Sequence, residues 1–281
     1  MPTNTSRSPD TSAIQRAAES ALQTRSVRVE RLSGYLFRTY RLTTSAGFFY
    51  VLRSRPSDHI RLLRHEEELL KTGSEALQAL GARSNIMTAR LIGTHTTALS
   101  IGSPYLISGP FTGSILSVVE PSLTSYALDS IDYSLGQYVR RLLSIGGSSF
   151  GPIHQRQNCL GSCSWAEAFA NQLETILRDG EDALITLPYI GMRALVRRHM
   201  GSLDKISQPR LAIIDLRADQ NVTVDIKQYR VTRLLDFSTA LWGDPYLSDC
   251  FYKPSASFTE GFGIRSKGDA DERIRRYLYV P

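Results

Sequence analysis

Leu211-Ala-Ile-Ile-Asp215-Leu-Arg-Ala-Asp-Gln-Asn221, with Leu234-Leu235-Asp236-Phe237 closing fifteen residues after that asparagine, is the stretch that decides the fold of this 281-residue chain. Two short apolar runs each end on an aspartate, and an asparagine stands between them. The first aspartate is placed to orient or deprotonate a hydroxyl. The asparagine and the second aspartate are oxygen donors of the kind that hold a divalent cation among phosphate groups. A lone Asp-to-Asn spacing carries little weight, because both residues are common turn formers. Their joint occurrence in a strand-loop-strand setting is what points to phosphate chemistry.

Upstream of that stretch the pattern divides in two. Residues 11–23 place Ile14, Ala17, Ala18, Ala21 and Leu22 at helical spacing. Residues 27–32, 36–43 and 48–53 read as strands, the last two joined by a turn ending on Gly47. A long helix is predicted over 57–80, with Gly73 as a candidate interruption, then strands over 89–94 and 105–108. The run Gly109-Pro110-Phe111-Thr112-Gly113 breaks the pattern and is the predicted hinge. Beyond it the chain turns helical over 131–145, 164–179 and 190–203, with Ser164 as N-cap and Glu167 at the capping-box position. Residues 146–152 are expected to form a surface loop. The expected organisation is α+β: a disordered tail (1–12), a small β-rich lobe (13–108) and a mostly helical lobe (109–281) around one cleft.

Composition excludes several classes. The net charge is +6, yet only five of the 33 basic residues are lysines, and arginine pairs such as Arg140-Arg141 and Arg197-Arg198 are scattered on helical faces. Solvated faces account for them, so no nucleic-acid partner is expected. No run of about eighteen apolar residues is present, so no membrane span is expected. The polar, Ser/Thr/Pro-rich start lacks a secretory pattern, and a cytoplasmic protein is expected. Cys159, Cys163 and Cys250 are too few for a disulfide framework. The five histidines are isolated in sequence.

The motifs resemble the aminoglycoside phosphotransferase/choline kinase-like family, particularly its fungal members. Tyr40-Arg41-Leu42 and Phe49-Tyr50-Val51-Leu52-Arg53 are similar to its first strands, and Leu135-Gly136-Gln137-Tyr138 with Phe150-Gly151-Pro152 to its region after the hinge. Asp215-Leu216, Asn221, Leu235-Asp236-Phe237 and Trp242-Gly243-Asp244-Pro245 are similar to its catalytic and metal-binding region. The resemblance implies a two-lobe protein kinase-like fold and ATP- and Mg2+-dependent phosphoryl transfer to a small-molecule hydroxyl. It implies Asp215 as catalytic residue and Asn221 and Asp236 as metal ligands. Arg53 stands where the phosphate-contacting lysine belongs, with Glu75 as its expected partner, and Ile107 to Gly109 would pass beside the adenine.

The chain departs from the family pattern at several points. Ile213 replaces a histidine, Asn221 follows Asp215 by six residues rather than five (so Gln220 competes for the ligand position), and the stretch 32–38 holds one glycine among bulky residues. An arginine fork is not a simple substitute for a lysine ammonium. These departures support a second reading: a repurposed, pseudokinase-like fold that binds or transforms an apolar small molecule without ATP, needing no cofactor. Asp244, Asp249 and Glu260 are interleaved with Phe251, Tyr252, Phe258 and Phe262. An aromatic or apolar substrate is expected to line up with those rings. The resemblance also implies a longer C-terminal lobe than this chain shows, so Tyr277, Leu278, Tyr279 and Val280 are expected either to open the substrate pocket or to support a homo-oligomer.

Overall fold

The computed structural model describes residues 11–33, 36–57, 59–82, 88–95, 100–154, 161–217, 221–263 and 268–279. Residues 1–10 of the expected tail lie outside this set, while its last two residues already belong to helix α1 (Thr11–Leu22). Five antiparallel strands follow: β1 (Val27–Leu32), β2 (Arg38–Thr44), β3 (Phe49–Ser54), β4 (Arg90–His95) and β5 (Tyr105–Phe111). Their order in the sheet is β1-β2-β3-β5-β4. The two-residue period of a strand sorts the side chains between faces. Leu42, Leu52, Tyr105 and Ile107 share a core with Ile14, Ala17 and Ala18 of α1. Val51, Leu106 and Phe111 join the main core with Ala76, Leu77 and Leu80 of α2 (Leu69–Gly81).

The helix predicted from residue 57 begins only at Leu69, after a 3-10 turn over Glu66–Glu68. Its expected first turns lose their backbone donors to other partners. Leu63 N–H donates to Glu66 Oε2 at 2.7 Å, and Arg64 N–H donates to Asp179 of the second lobe at 2.9 Å. The Arg64 guanidinium pairs with Asp179 at 2.6 Å and also with Asp182, so this segment ties the lobes together. Gly73 sits inside α2 without interrupting it.

Strand β5 runs on through Phe111, three residues past the expected boundary, and Phe111 stacks on Phe49 at 5.4 Å. Only Thr112 and Gly113 then separate it from β6 (Ser114–Ile115), which pairs with β9 of the second lobe. That lobe contains α3 (Leu116–Val119), α4 (Ser125–Leu143), β7 (Gly151–Pro152), α5 (Trp165–Asp182), α6 (Tyr189–Arg198) and α7 (Met200–Leu203). It continues through β8 (Arg210–Ile213), β9 (Val222–Asp225), β10 (Arg230–Leu234), β11 (Ala240–Gly243), α8 (Ala256–Phe262) and α9 (Ala270–Leu278). Two small sheets, β10-β9-β6 and β7-β11-β8, carry the aspartate loops. Ser164 caps α5 as expected, its Oγ accepting from Glu167 N–H at 3.1 Å. The expected surface loop 146–152 ends in β7 with Phe150 buried, and the single helix expected over 190–203 is divided at His199.

The phenylalanines after the Asp236 loop are core. Phe251 and Phe258 are buried, Phe262 packs against them, and the three rings lie 5.0–6.2 Å apart. Helices α4 and α8 cross at backbone distance: a Cβ on Gly136 would come 2.3 Å from Phe258 O, and one on Gly261 2.0 Å from Tyr133 O. The expectation that Phe258 and Phe262 present a substrate surface is therefore corrected, since hydrophobic burial claims them, while the largely buried Phe251 still borders a cavity beside Asp215.

The chain end is stitched down rather than open. Arg275 Nε lies 2.9 Å from Asp244 Oδ2, and the Tyr279 hydroxyl donates to the same oxygen at 3.0 Å while accepting from Trp165 Nε1 at 2.6 Å. Burial pushes the Tyr279 hydroxyl far up, which keeps it a neutral donor. Leu278 packs against the core around Trp165, Tyr277 is exposed, and Val280 lies outside the described residues. Among the described residues no helix is long and apolar enough to cross a membrane. Removing one partner of a buried ion pair costs about 3–5 kcal/mol because the other charge stays buried. Arg275→Met is therefore expected to lower stability by about 3 kcal/mol in chemical denaturation, while Tyr277→Ala should leave it within about 0.5 kcal/mol.

Candidate active site

Strand β8 delivers Asp215 and strand β10 delivers Asp236, and the side chain of Asn221 joins the two loops. Its Nδ2 donates to Asp215 O at 3.0 Å, Leu216 O at 3.3 Å and Asp236 O at 3.3 Å. Its Oδ1 accepts from Asp236 N–H at 2.7 Å. Asn221 is buried, so these bonds form away from competing water. Gln220 lies outside the described residues, and it is Asn221 that meets Asp236.

The Asp215 loop is held from three further sides. Asp215 N–H donates to Thr239 Oγ1 at 3.2 Å, Ile213 N–H to Ser248 Oγ at 3.1 Å, and Arg217 N–H to Asp249 Oδ1 at 2.8 Å. Desolvation raises the Asp215 carboxyl above its ordinary range, the Asp236 charge raises it further, and His65 opposes both. Two carboxylates thus share one cleft with an imidazole at its edge. Burial pushes Asp249 up to about 6; the Arg217 N–H opposes this and the Asp215 charge adds to it.

Arg53 is buried in β3 and reaches across the cleft. Its Nη1 donates to Leu235 O at 2.9 Å and its Nε lies 3.4 Å from Asp236 Oδ2. Its expected partner Glu75 lies instead among Lys71 and Glu68, with burial raising its carboxyl above the usual range. On β5 the register Arg53↔Leu106 and Leu52↔Ile107 puts Leu106 on the Arg53 side of the sheet. Ile107 is turned to the α1 side. Ser108, two residues after Leu106, shares that side; its hydroxyl is buried without a hydrogen-bond partner among the described residues. Gly109, at φ 148°, is joined to Pro110 by a cis peptide bond, and a Cβ there would meet the Tyr50 ring at 2.5 Å. In the phosphate-loop stretch, Arg38 begins β2 and donates to Pro56 O at 2.9 Å, while Gly34 and Tyr35 lie outside the described residues.

Sequence spacing did not single out Thr239, Ser248 or His65, because each reaches the Asp215 loop from a separate element. Asp249 was visible only as one acid in an aromatic run. A cavity of about 530 Å³ adjoins the loop, lined by Asp215, Asp249 and the rings of Tyr246, Tyr252, Tyr277 and Tyr279.

Residues 28–247 match the model of the phosphotransferase enzyme family, APH. Among solved structures, a GDP complex of an aminoglycoside 2′-phosphotransferase-IIIa mutant superposes with TM-score 0.59 at 17% identity, covering 96% of this chain and 87% of that one. Macrolide 2′-phosphotransferase MphH from Brachybacterium faecium gives TM-score 0.57 at 17% identity, covering 95% and 88%. The streptomycin–ATP ternary complex of APH(2″)-IIa gives 0.57 at 14% identity, covering 94% and 85%. At these identities the likeness establishes the fold, a two-lobe kinase-like α+β architecture. No curated protein sequence matches the chain.

The folded-state value of Asp249, about 6, lies above the roughly 3.9 of an unfolded aspartate, so the folded chain holds the proton more tightly. The resulting stability is complete below about pH 4 and is lost as pH rises through about 6. Asp249→Asn keeps an oxygen acceptor for the Arg217 amide and should flatten that dependence, by on the order of 3 kcal/mol between the two limits, in denaturation titrations across this range.

Proposed function

The chain belongs to the phosphotransferase enzyme family, and from that premise we propose that it transfers the γ-phosphoryl group of ATP, with Mg2+, to a hydroxyl of a small molecule. The observation that carries this reading is the Asn221 clasp, which holds the Asp215 and Asp236 loops in one cleft. Phosphoryl transfer needs positioned charge more than covalent chemistry.

The residues fit a magnesium ion. Among the described residues no three His, Cys, Asp or Glu gather into a metal cage. Mg2+ needs none, being held by one or two carboxylates together with substrate phosphates. Asp236 and the second lone pair of Asn221 Oδ1 would hold it, and its charge would offset the repulsion that raises Asp215. When bound it neutralises phosphate oxygens. Asp215 orients the substrate hydroxyl and accepts its proton. The Ser108 hydroxyl, without a hydrogen-bond partner among the described residues, supplies a polar group for an adenine passing beside Ile107–Gly109 of β5. Arg53 serves as the phosphate-side cation in place of a lysine. An aromatic or apolar substrate remains the reading we favour, now on the four tyrosines and Phe251 of the cavity rather than on Phe258 and Phe262.

One observation favours the ATP-independent alternative: the Arg53–Asp236 ion pair competes with a metal for the same carboxylate. Ligand binding to the folded state raises apparent stability by RT ln(1 + [L]/Kd). Millimolar Mg-ATP should therefore raise the melting temperature of the wild type, and Asp236→Ala should abolish the shift. Asp215→Asn should keep the shift and lose about 10²–10⁴-fold in turnover. A wild type indifferent to millimolar Mg-ATP would sink the phosphotransferase reading.

A further inference from the structure

The cavity beside Asp215 carries charges that phosphoryl transfer itself does not employ. Besides Asp215 and Asp249, its lining includes Lys253 and Arg276. The two acids and the two bases are not equivalent. Asp249 is turned toward the backbone, accepting the Arg217 N–H at 2.8 Å, and Asp215 belongs to the reacting hydroxyl. Neither is left over to receive a cationic substrate group.

The bases stand differently. Among the described residues Lys253 has no carboxylate within ion-pair distance, and its ammonium lies 5.1 Å from the centre of the Tyr252 ring. The Arg276 guanidinium lies 5.1 Å over the Tyr246 ring, and its Nη2 donates to Phe251 O at 3.2 Å. Its contact with Glu272 is 3.6 Å and follows the helix surface. Tyr252 and Tyr277, each adjacent in sequence to one of these cations, are 52% and 73% exposed. The wall built by α9 and residues 252–253 is therefore the solvent-facing end of the cavity, and it is basic and aromatic. A polycation entering there would meet two like charges, and like-charge juxtaposition rejects partners as effectively as opposite charge recruits them.

We propose that the substrate is an anion, a hydroxyl compound whose carboxylate or phosphate group is held by Lys253 and Arg276 while its hydroxyl reaches Asp215. This rests on the phosphotransferase reading for the role of Asp215. An aryl portion spans the distance between the two ends, packed on the tyrosines. Both basic residues come from the segments that follow the metal loop, so the end of the chain sets which substrates enter.

Nucleotide-free titration calorimetry with four probes tests the proposal: para-hydroxyphenylacetate, its amide, tyramine and phenyl phosphate. The acid, the phosphate ester or both should bind at least about tenfold more tightly than the amide, with tyramine weakest. Whichever anion binds better identifies the head group, and either result supports the proposal. Lys253→Gln and Arg276→Gln should each bring anion binding down toward that of the amide without changing the amide. Because Arg276 also contacts Phe251 and Glu272, the exposed Lys253→Gln variant is the decisive one, with its melting curve as the folding control. Tyramine binding as tightly as the acid, no anion binding at millimolar concentration, or an anion preference that survives Lys253→Gln would each overturn the proposal. Since no nucleotide is present, a failure of Mg-ATP to bind or turn over would remove the phosphotransferase reading and leave this result standing. Turnover of amine substrates would do the reverse.

Discussion

The Asn221 amide donates to the carbonyls of Asp215 and Asp236 while its oxygen accepts the Asp236 N–H at 2.7 Å, and this closed set of bonds holds the two carboxylate loops to each other. Each such bond is worth only about 1 kcal/mol net, but leaving a buried amide unsatisfied costs more than making the bond gains. Asn221 therefore has a structural role in this chain. The Asp215 loop then leans on Thr239, Ser248 and Asp249, so both ends of the clasp are themselves held.

Around that clasp the charges are close enough to perturb one another. Asp236 raises Asp215, His65 lowers it, and Arg53 lies against Asp236 from the opposite lobe. Arg53 couples the lobes through Leu235 O and Asp236, as Arg64 does through Asp179 and Asp182. Two arginines on the β-rich lobe thus bind it to the aspartates of the second lobe. An arginine suits this work better than a lysine, because its fork can bond a carbonyl and face a carboxylate together.

The second lobe explains how α9 comes to wall the cavity beside Asp215. Asp244, one residue past β11, is fully buried and takes both Arg275 and Tyr279, which fixes α9 beside the Asp215 loop. The same docking sends Arg276 and Tyr277 to the cavity. Phe258 and Phe262 fill the space beneath, so the aromatic surface of the cavity is made of Phe251 and four tyrosines, whose hydroxyls tolerate the boundary with water.

The order of strands and helices, the capped start of α5 and the meeting of Asp215, Asn221 and Asp236 were legible in the residues, because period, capping chemistry and donor type are local properties. The start of α2 was not, since the donors of its expected first turns are taken by Glu66 and by Asp179 from 115 residues away. Nor was the partner of Arg53, because the strand register that aims it at Asp236 rather than Glu75 exists only once β3 and β5 pair. Leu106 and Ile107 are adjacent and both apolar, and only the twofold alternation of a formed sheet puts one toward the cleft and the other toward α1. By itself the sequence determined which chemistry the cleft can hold, since carboxylates, an amide and their spacing are written in it. Tertiary structure decided which charges face one another and which rings are left for a substrate, because burial and distance are properties of neighbours far apart in the chain.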